Sequence, residues 1–372
     1  MTSPQRRYIW QRGEWPMLTY DVARLAGPLA QVAHRQGHLL GRLADSDEAV
    51  QDRASLAALT ADVVKTSEIE GELLDAASVR SSIARHLGVD IGAVVPADRH
   101  VDGVVEMILD ATVHNTRPVT AERLFGWHAG LFPTGYSGIS KVRIGGWRTD
   151  DAGPMQVISG PFGRQRMHFE APPADRLPVE MERFLAWVNR DATEPALIKA
   201  GLAHLWFVTI HPFDDGNGRI ARAIGDLWLA RADHSSRRFY SLSAQIQRDR
   251  KDYYAMLEKT QKGSLDVTEW LLWFLGALDR AITGAAETVD SVLAKAQFWR
   301  NWGQTTMNAR QIAMLNRLLD GSDGKLTTRK WAIITKTSPD TALRDITVLV
   351  ELGALRRSES GGRSTSYELV RP

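Results

Sequence analysis

The segment Pro195 to Ile210 (PALIKAGLAHLWFVTI) is apolar around most of its circumference, which suits a helix enclosed on every side by other structure. At His211-Pro212 that pattern stops. Proline disfavours helical dihedrals in the residue before it, so the imidazole of His211 is expected where the buried helix ends and a loop begins. Gly216-Asn217-Gly218 then turns the chain, and Arg219 to Ala232 resumes a helical period with Ile220, Ala223, Ile224, Leu227 and Trp228 on one side.

A turn of this kind feeding a helix leaves several backbone N–H groups aimed outward, and the helix dipole adds partial positive charge there. The loop is therefore expected to hold an anion. Arg219 and Arg222 share one face of the first turn, where their guanidiniums can grip phosphate oxygens. Asp215 beside a phosphate calls for a bridging cation, and Mg²⁺ commonly takes one or two carboxylates plus phosphate oxygens. A neutral imidazole at His211 is suited to taking a proton from an attacking hydroxyl. A P-loop is a poor fit, since it needs a preceding strand and a Lys-Ser/Thr pair after its glycines. A calcium loop would need more oxygen ligands than Asp214, Asp215 and Asn217 supply. The plain alternative is a glycine-rich helix–helix turn with a stray histidine.

The stretch from His211 to Arg222 (HPFDDGNGRIAR) closely resembles the Fic family signature, His-x-Phe-x-Asp/Glu-Gly-Asn-Gly-Arg-x-x-Arg, and matches it at every defined position. Most Fic proteins move AMP from ATP to a Ser, Thr or Tyr hydroxyl of a target protein. The resemblance implies His211 as general base, Asp215 as Mg²⁺ ligand and Phe213 as a core anchor. It implies Gly216, Asn217 and Gly218 as the anion hole, Arg219 on phosphate and Arg222 on the terminal phosphate. Asp214 falls at a variable position and is assigned nothing.

At 372 residues the chain suggests two or three domains. It contains no cysteine, so a reducing cytoplasm is permitted. No signal-like opening occurs, and the apolar run Trp270 to Leu278 is too short to cross a bilayer, so a soluble cytoplasmic protein without membrane contact is expected. The net charge of +2 argues against an overall nucleic-acid coat. Residues 1–115 read as an N-terminal helical domain. Its aromatic opening (Trp10, Trp15, Tyr20) is read as core staples and resembles an uncharacterised domain that often precedes Fic domains. A helix is expected over Leu56 to Leu74. Within it Thr66-Ser67-Glu68-Ile69-Glu70-Gly71 resembles the Fic inhibitory motif, which implies that Glu70 pairs with Arg222, with Gly71 as a stop or kink. In some relatives the same glutamate instead helps water remove AMP, and that role for Glu70 stays open.

Residues 116–284 are expected to form the catalytic domain. Val119 to Leu131 has helical spacing, with His128 read as structural, and Gly135 to Arg148 is loop-like. Two β-prone pieces within 155–170 flank Gly160-Pro161-Phe162-Gly163. They resemble the Fic flap, which docks a target segment as an added strand; an ordinary surface hairpin is the alternative. Tyr253 and Tyr254 resemble a Tyr-Tyr-x-x-Leu-Glu segment near the nucleotide base, implying that they line the adenine and ribose pocket. Gln261 stands where many relatives have asparagine. A closing helix over Val267 to Ala281 and a helical connector over residues 285–305 follow.

Residues 306–372 are expected to supply three helices and a strand pair around Gly361-Gly362, which resembles a winged helix-turn-helix. From Lys325 onward nine Lys/Arg face five Asp/Glu. That suits DNA phosphates at Arg356, Arg357 and Arg363, but Asp340 and Asp345 in the reading helix would repel them, so protein docking or dimer formation stays open. The fold class expected is mainly α: a Fic-type core with a hairpin flap between helical and winged-helix domains. The function expected is protein AMP transfer from Mg-ATP restrained by Glu70. The alternatives are a Fic-fold phosphotransferase, a de-AMPylase and a nucleotide-sensing DNA-binding regulator.

Overall fold

A short 3-10 turn at Ile9–Gln11 precedes α1 (Val22–Ala44), whose N-cap Asp21 accepts from the amides of Ala23 and Arg24. The computed structural model describes residues 7–92, 95–160, 163–191, 193–319, 326–358 and 365–370. Then come α2 (Glu48–Ile69), α3 (Ala76–Leu87), α4 (Arg99–Val113) and α5 (Ala121–Leu131). Two antiparallel hairpins follow, β1 (Tyr136–Ser137) with β2 (Ser140–Lys141), and β3 (Gln156–Ser159) with β4 (Arg166–Glu170). Next in order are α6 (Leu177–Asn189), α7 (Ala196–Ile210), α8 (Asn217–Asp233), α9 (Leu242–Arg248), α10 (Arg250–Gln261) and α11 (Thr268–Trp302).

The last elements are α12 (Ala309–Leu319), β5 (Leu326–Thr327), α13 (Thr328–Thr335), α14 (Pro339–Glu351), β6 (Leu355–Arg357) and β7 (Ser366–Leu369). The chain divides into two compact units, Met1–Asp45 with Gln51–Ala285, and Ser46–Val50 with Ala286–Pro372.

In the larger unit α7 is the central rod. From Leu197 to Ile210 each of its residues is buried, the outcome its all-round apolar sequence requires. It packs along α8, and its Gly201 lets Leu271 and Phe274 of α11 close in, while Trp270 donates to the Gly201 carbonyl at 2.8 Å. The opening aromatics brace this core. Trp10 donates to the Glu170 carbonyl at 2.7 Å and Trp15 to Glu180 Oε2 at 2.8 Å. The helix α2 is tied to α8 by a buried polar cluster. Asp226 of α8 lies beside Asp62 of α2 and 2.9 Å from the Arg238 guanidinium. Burial, and then the neighbouring Asp62 carboxyl, raise the Asp226 carboxyl well above the ordinary range.

Three expectations about boundaries change. The helix expected over Leu56 to Leu74 is α2, which starts earlier and stops at Ile69. The Gly71 amide bonds to Glu68 O and the Glu72 amide to Ser67 O, with Gly71 at φ +89°, a left-handed helix stop that glycine alone takes without strain. The closing helix and the connector are one helix, α11, because nothing between Ala281 and Trp302 breaks the period and Gly284 is tolerated. An extra helix, α9, precedes the one carrying the paired tyrosines.

The smaller unit has its own core of Phe298, Leu315, Trp331, Ile346, Leu349 and Leu355 under the antiparallel sheet β5-β7-β6. Asp345 does not project outward from α14. It is buried, bonded by Asn308 and Arg310, so the repulsion expected from it does not arise, whereas Asp340 is exposed. Arg356 and Arg357 are exposed; Gly361, Gly362 and Arg363 lie outside the described residues.

The close crossing of α4 and α5 gives a test of the larger unit. A Cβ on Gly103 of α4 would sit 2.0 Å from the Gly130 carbonyl oxygen of α5. Gly103→Ala should therefore destabilise by roughly 3 kcal/mol and lower Tm by about 5–10 °C. Gly126→Ala on α5, where a Cβ meets nothing within 4 Å, should leave Tm unchanged or slightly raised. Equal melting of the two variants would contradict this packing.

Candidate functional site

The helix α7 ends at His211, a non-glycine residue in the left-handed region (φ 53°, ψ 58°). Such a conformation costs about 1–3 kcal/mol and persists only where the surroundings fix it. Here they do. Phe213, fully buried, stacks on the His128 ring at 4.2 Å between centroids and meets Phe125, Trp147 and Phe207. The Asn217 side chain receives the Phe213 amide at 2.9 Å and donates to the Phe213 carbonyl at 2.8 Å. Its amide group thus closes the loop, leaving only its main chain for an anion.

Arg148 also fixes the loop, and sequence reasoning passed over it. Its side chain is fully buried. Nε donates to the His211 carbonyl at 2.8 Å, Nη2 to the Pro172 carbonyl at 2.5 Å, and the Arg148 amide to the Pro212 carbonyl at 2.9 Å. The only hint in the sequence was an arginine following tryptophan in a glycine-rich stretch.

The imidazole of His211 is half-buried, and its Nδ1–H donates to the Val208 carbonyl at 3.2 Å. That bond fixes the tautomer and leaves the lone pair on Nε2. Burial, assisted by the Arg148 charge, lowers the His211 pKa, so the neutral ring is the resting form at neutral pH.

The N-terminus of α8 carries no side-chain cap. Its two arginines are buried, at 1 % and 2 % exposure, in the first turns behind it. Arg222 donates through Nε to Thr66 Oγ1 at 2.7 Å, and through Nη2 to the Thr66 carbonyl at 2.9 Å and Glu70 Oε1 at 2.7 Å. The Glu70 carboxylate also lies against Gly218, where a Cβ would come within 2.3 Å of Oε1. Arg219 Nη1 meets Glu72 Oε2 at 2.5 Å, a contact absent from the sequence reading. Arg222 Nη1 and Arg219 Nε are buried with no hydrogen-bond partner among the described residues. Asp215 is exposed, accepting from Ser137 Oγ at 2.5 Å and from the Gly216 amide at 2.6 Å, while Asp214 accepts the Arg143 amide at 2.8 Å.

The two tyrosines part company. Tyr254 is 39 % exposed and its hydroxyl reaches the Ile69 carbonyl at 3.4 Å. Tyr253 does not line an open pocket: it is 1 % exposed, donates to His204 Nε2 at 2.9 Å and packs on Trp270 and Trp273. Its position on the inward side of α10 follows from the helical period, which turns adjacent residues about 100° apart. Gln261 is buried and bonded to Thr209 Oγ1 at 3.3 Å. Glu258 on α10 ties down the hairpin. His168 Nδ1 lies 2.7 Å from Oε2 and Arg166 3.0 Å from Oε1.

Residues 118–229 match the model of the Fic/DOC family, and residues 8–89 match a domain of unknown function, DUF4172. The protein adenylyltransferases Fic of Drosophila sechellia and Drosophila melanogaster are each 32 % identical over 115 residues, 29 % of this chain and 22 % of theirs. The chain thus spans about a fifth of the length of those relatives. Two solved structures share the fold. A Fic family protein from Desulfovibrio desulfuricans G20 is 19 % identical with a TM-score of 0.53, covering 95 % of this chain and 97 % of that one. A Fic domain containing signaling protein from Bacteroides thetaiotaomicron VPI-5482 is 18 % identical with a TM-score of 0.51, covering 71 % and 97 %. The chain is mainly helical, with a Fic-fold core and a small hairpin.

Burial of the His211 ring has a measurable sign. Its folded pKa should lie below the ordinary histidine value near 6.5, so the ring stays neutral until the pH falls through that lower value. Titration followed by NMR of the ring protons, with His211→Gln for assignment, checks this. A midpoint at or above the ordinary value contradicts the buried placement.

Proposed function

We propose that this protein transfers AMP from Mg-ATP to a Ser, Thr or Tyr hydroxyl of a target protein, and that Glu70 restrains the reaction. The observation that carries the proposal is a single arrangement: an imidazole whose Nδ1–H is tied to the Val208 carbonyl, leaving the lone pair on Nε2, one short loop before the uncapped start of α8 and its two buried guanidiniums. The target hydroxyl gives its proton to His211 Nε2 as its oxygen forms a bond to the α-phosphorus. The bond from that phosphorus to the bridging oxygen breaks and pyrophosphate leaves. Main-chain amides at Asn217 and Gly218 and the Arg219 side chain hold the phosphates, joined by the Gly216 amide once it leaves Asp215 Oδ1, with Arg222 orienting the terminal one.

Among the described residues no group of three or more His, Cys, Asp or Glu could hold a metal. The exposed Asp215 carboxylate fits Mg²⁺ in its usual manner, as one protein oxygen beside phosphate oxygens. Mg²⁺ bound there neutralises phosphate charge.

The tethered Glu70 occupies Arg222 at high effective concentration, which by itself would leave a terminal phosphate without its guide and in-line attack misaligned. The β3–β4 hairpin is read as the target dock, offering a strand edge to an extended segment. Tyr254 is read as the nucleotide-base contact and Tyr253 as support for Arg222. The division of residues 1–115, 116–284, 285–305 and 306–372 and a cytoplasmic setting are part of the same reading. Residues 306–372 are read as a winged helix-turn-helix. With Asp345 turned inward and Arg344, Arg356 and Arg357 exposed, DNA binding gains as a role for it, with a homodimer as the other.

ATP labelled separately at the α and γ positions tests the reaction. Glu70→Gly should raise protein-bound α label by about tenfold or more, and His211→Ala in that background should lower it by about a hundredfold or more. Label retained only from the γ position would replace AMP transfer with phosphate transfer. Glu70-dependent loss of label from an AMP-modified protein would point to hydrolytic removal of AMP.

A further inference from the structure

Glu70 is one of two carboxylates that the end of α2 delivers to the signature helix. The left-handed stop at Gly71 folds the chain back on itself, with the Glu72 amide bonded to Ser67 O at 3.0 Å. Glu70 leaves this turn just before the glycine and Glu72 just after it. They reach different arginines: Glu70 Oε1 is 2.7 Å from Arg222, and Glu72 Oε2 is 2.5 Å from Arg219. Arg219 has little freedom to move away, being 1 % exposed and lying over the Phe132 ring at 5.1 Å.

Glu72 is itself held from the other side. His100 on α4 lies 3.3 Å from Glu72 Oε2 through Nε2, and its Nδ1–H donates to the Leu131 carbonyl at 3.2 Å. The hydrogen bond to Glu72 raises the proton affinity of His100 against the opposing effects of burial and the Arg219 charge. Burial works against the Glu72 carboxylate, yet the His100 bond and the Arg219 charge together keep its pKa below the ordinary value. His100, Glu72 and Arg219 thus form a chain across three elements, with alternating charge when the imidazole is protonated.

A carboxylate on Arg222 alone would leave Arg219 able to take a phosphate, so a triphosphate could still enter with its far end misdirected. With Glu72 on Arg219, both guanidinium charges are already paired with a carboxylate. We propose that Glu72, positioned by His100, is a second stop in this chain, so that the closed form excludes a nucleoside triphosphate instead of binding it out of line. A nucleoside monophosphate, needing only the amides at the start of α8, enters either form. This proposal rests on the reading of Arg219 and Arg222 as the phosphate clamp. It makes Glu72 a positioning residue that acts on nucleotide affinity, with no part in the bond-making step.

Calorimetric titration of the full chain with ATP and with AMP, in a His211→Ala background that prevents turnover, tests it. Apparent affinity falls in proportion to the fraction of molecules able to bind. Glu72→Gln, with Glu70 intact, should therefore tighten ATP binding by about fivefold or more and leave AMP within about twofold. His100→Gln should move ATP affinity in the same direction, and thermal melting of each variant checks that it is folded. Unchanged ATP affinity in folded Glu72→Gln and His100→Gln, while Glu70→Gly tightens it, would overturn the second stop and leave the clamp standing. If Arg219→Ala and Arg222→Ala, each added to the Glu70→Gly/Glu72→Gln double variant, bind ATP as well as that double variant, the clamp itself is refuted and the second stop goes with it.

Discussion

The Arg222 guanidinium is a full positive charge held at 2 % exposure inside a helical core, and most of the site's architecture answers to that fact. Removing such a charge from water costs several kcal/mol unless charged and polar partners replace the lost hydration. The end of α2 supplies them: the Thr66 hydroxyl, the Thr66 carbonyl and the Glu70 carboxylate. One guanidinium hydrogen-bonding group still lacks a partner among the described residues. A bound anion would answer the same need.

The loop between α7 and α8 addresses a different constraint. His211 is fixed in a backbone conformation that an isolated peptide would avoid. Phe213 anchors the loop from below, Asn217 closes it through two bonds to a single residue, and Arg148 binds its outer carbonyls from another part of the chain. These groups act together, and none of them needs to touch a substrate.

Electrostatics also link the arms of the site to the rest of the larger unit. Asp62 and Asp226 share a buried environment with Arg238, with Ser241 Oγ donating to Asp62 at 2.5 Å and the Tyr240 hydroxyl to Asp233 at 2.9 Å. Burial outweighs the Arg238 charge at Asp226 and Asp233 and raises both carboxyls above the ordinary range. The cluster fixes the body of α2 on α8, whereas the residues after Ile69, with Glu72 34 % exposed, are less firmly enclosed. The segment that carries Glu70 and Glu72 thus has a secured base and a more open tip.

Local chemistry in the chain already specified much of this: an apolar rod ending at His211-Pro212, a glycine turn, two arginines on one face, and a Ser/Thr-x-x-x-Glu-Gly segment. Those features depend on neighbours within about a helical turn, and period and dihedral preference are written locally. The contacts of Arg148 with the loop, of Glu72 with Arg219 and His100, and the inward turn of Tyr253 and Asp345 were decided only by tertiary structure. Each joins positions far apart in the chain or depends on which side of a helix faces the core, and packing against distant elements, not local propensity, sets both.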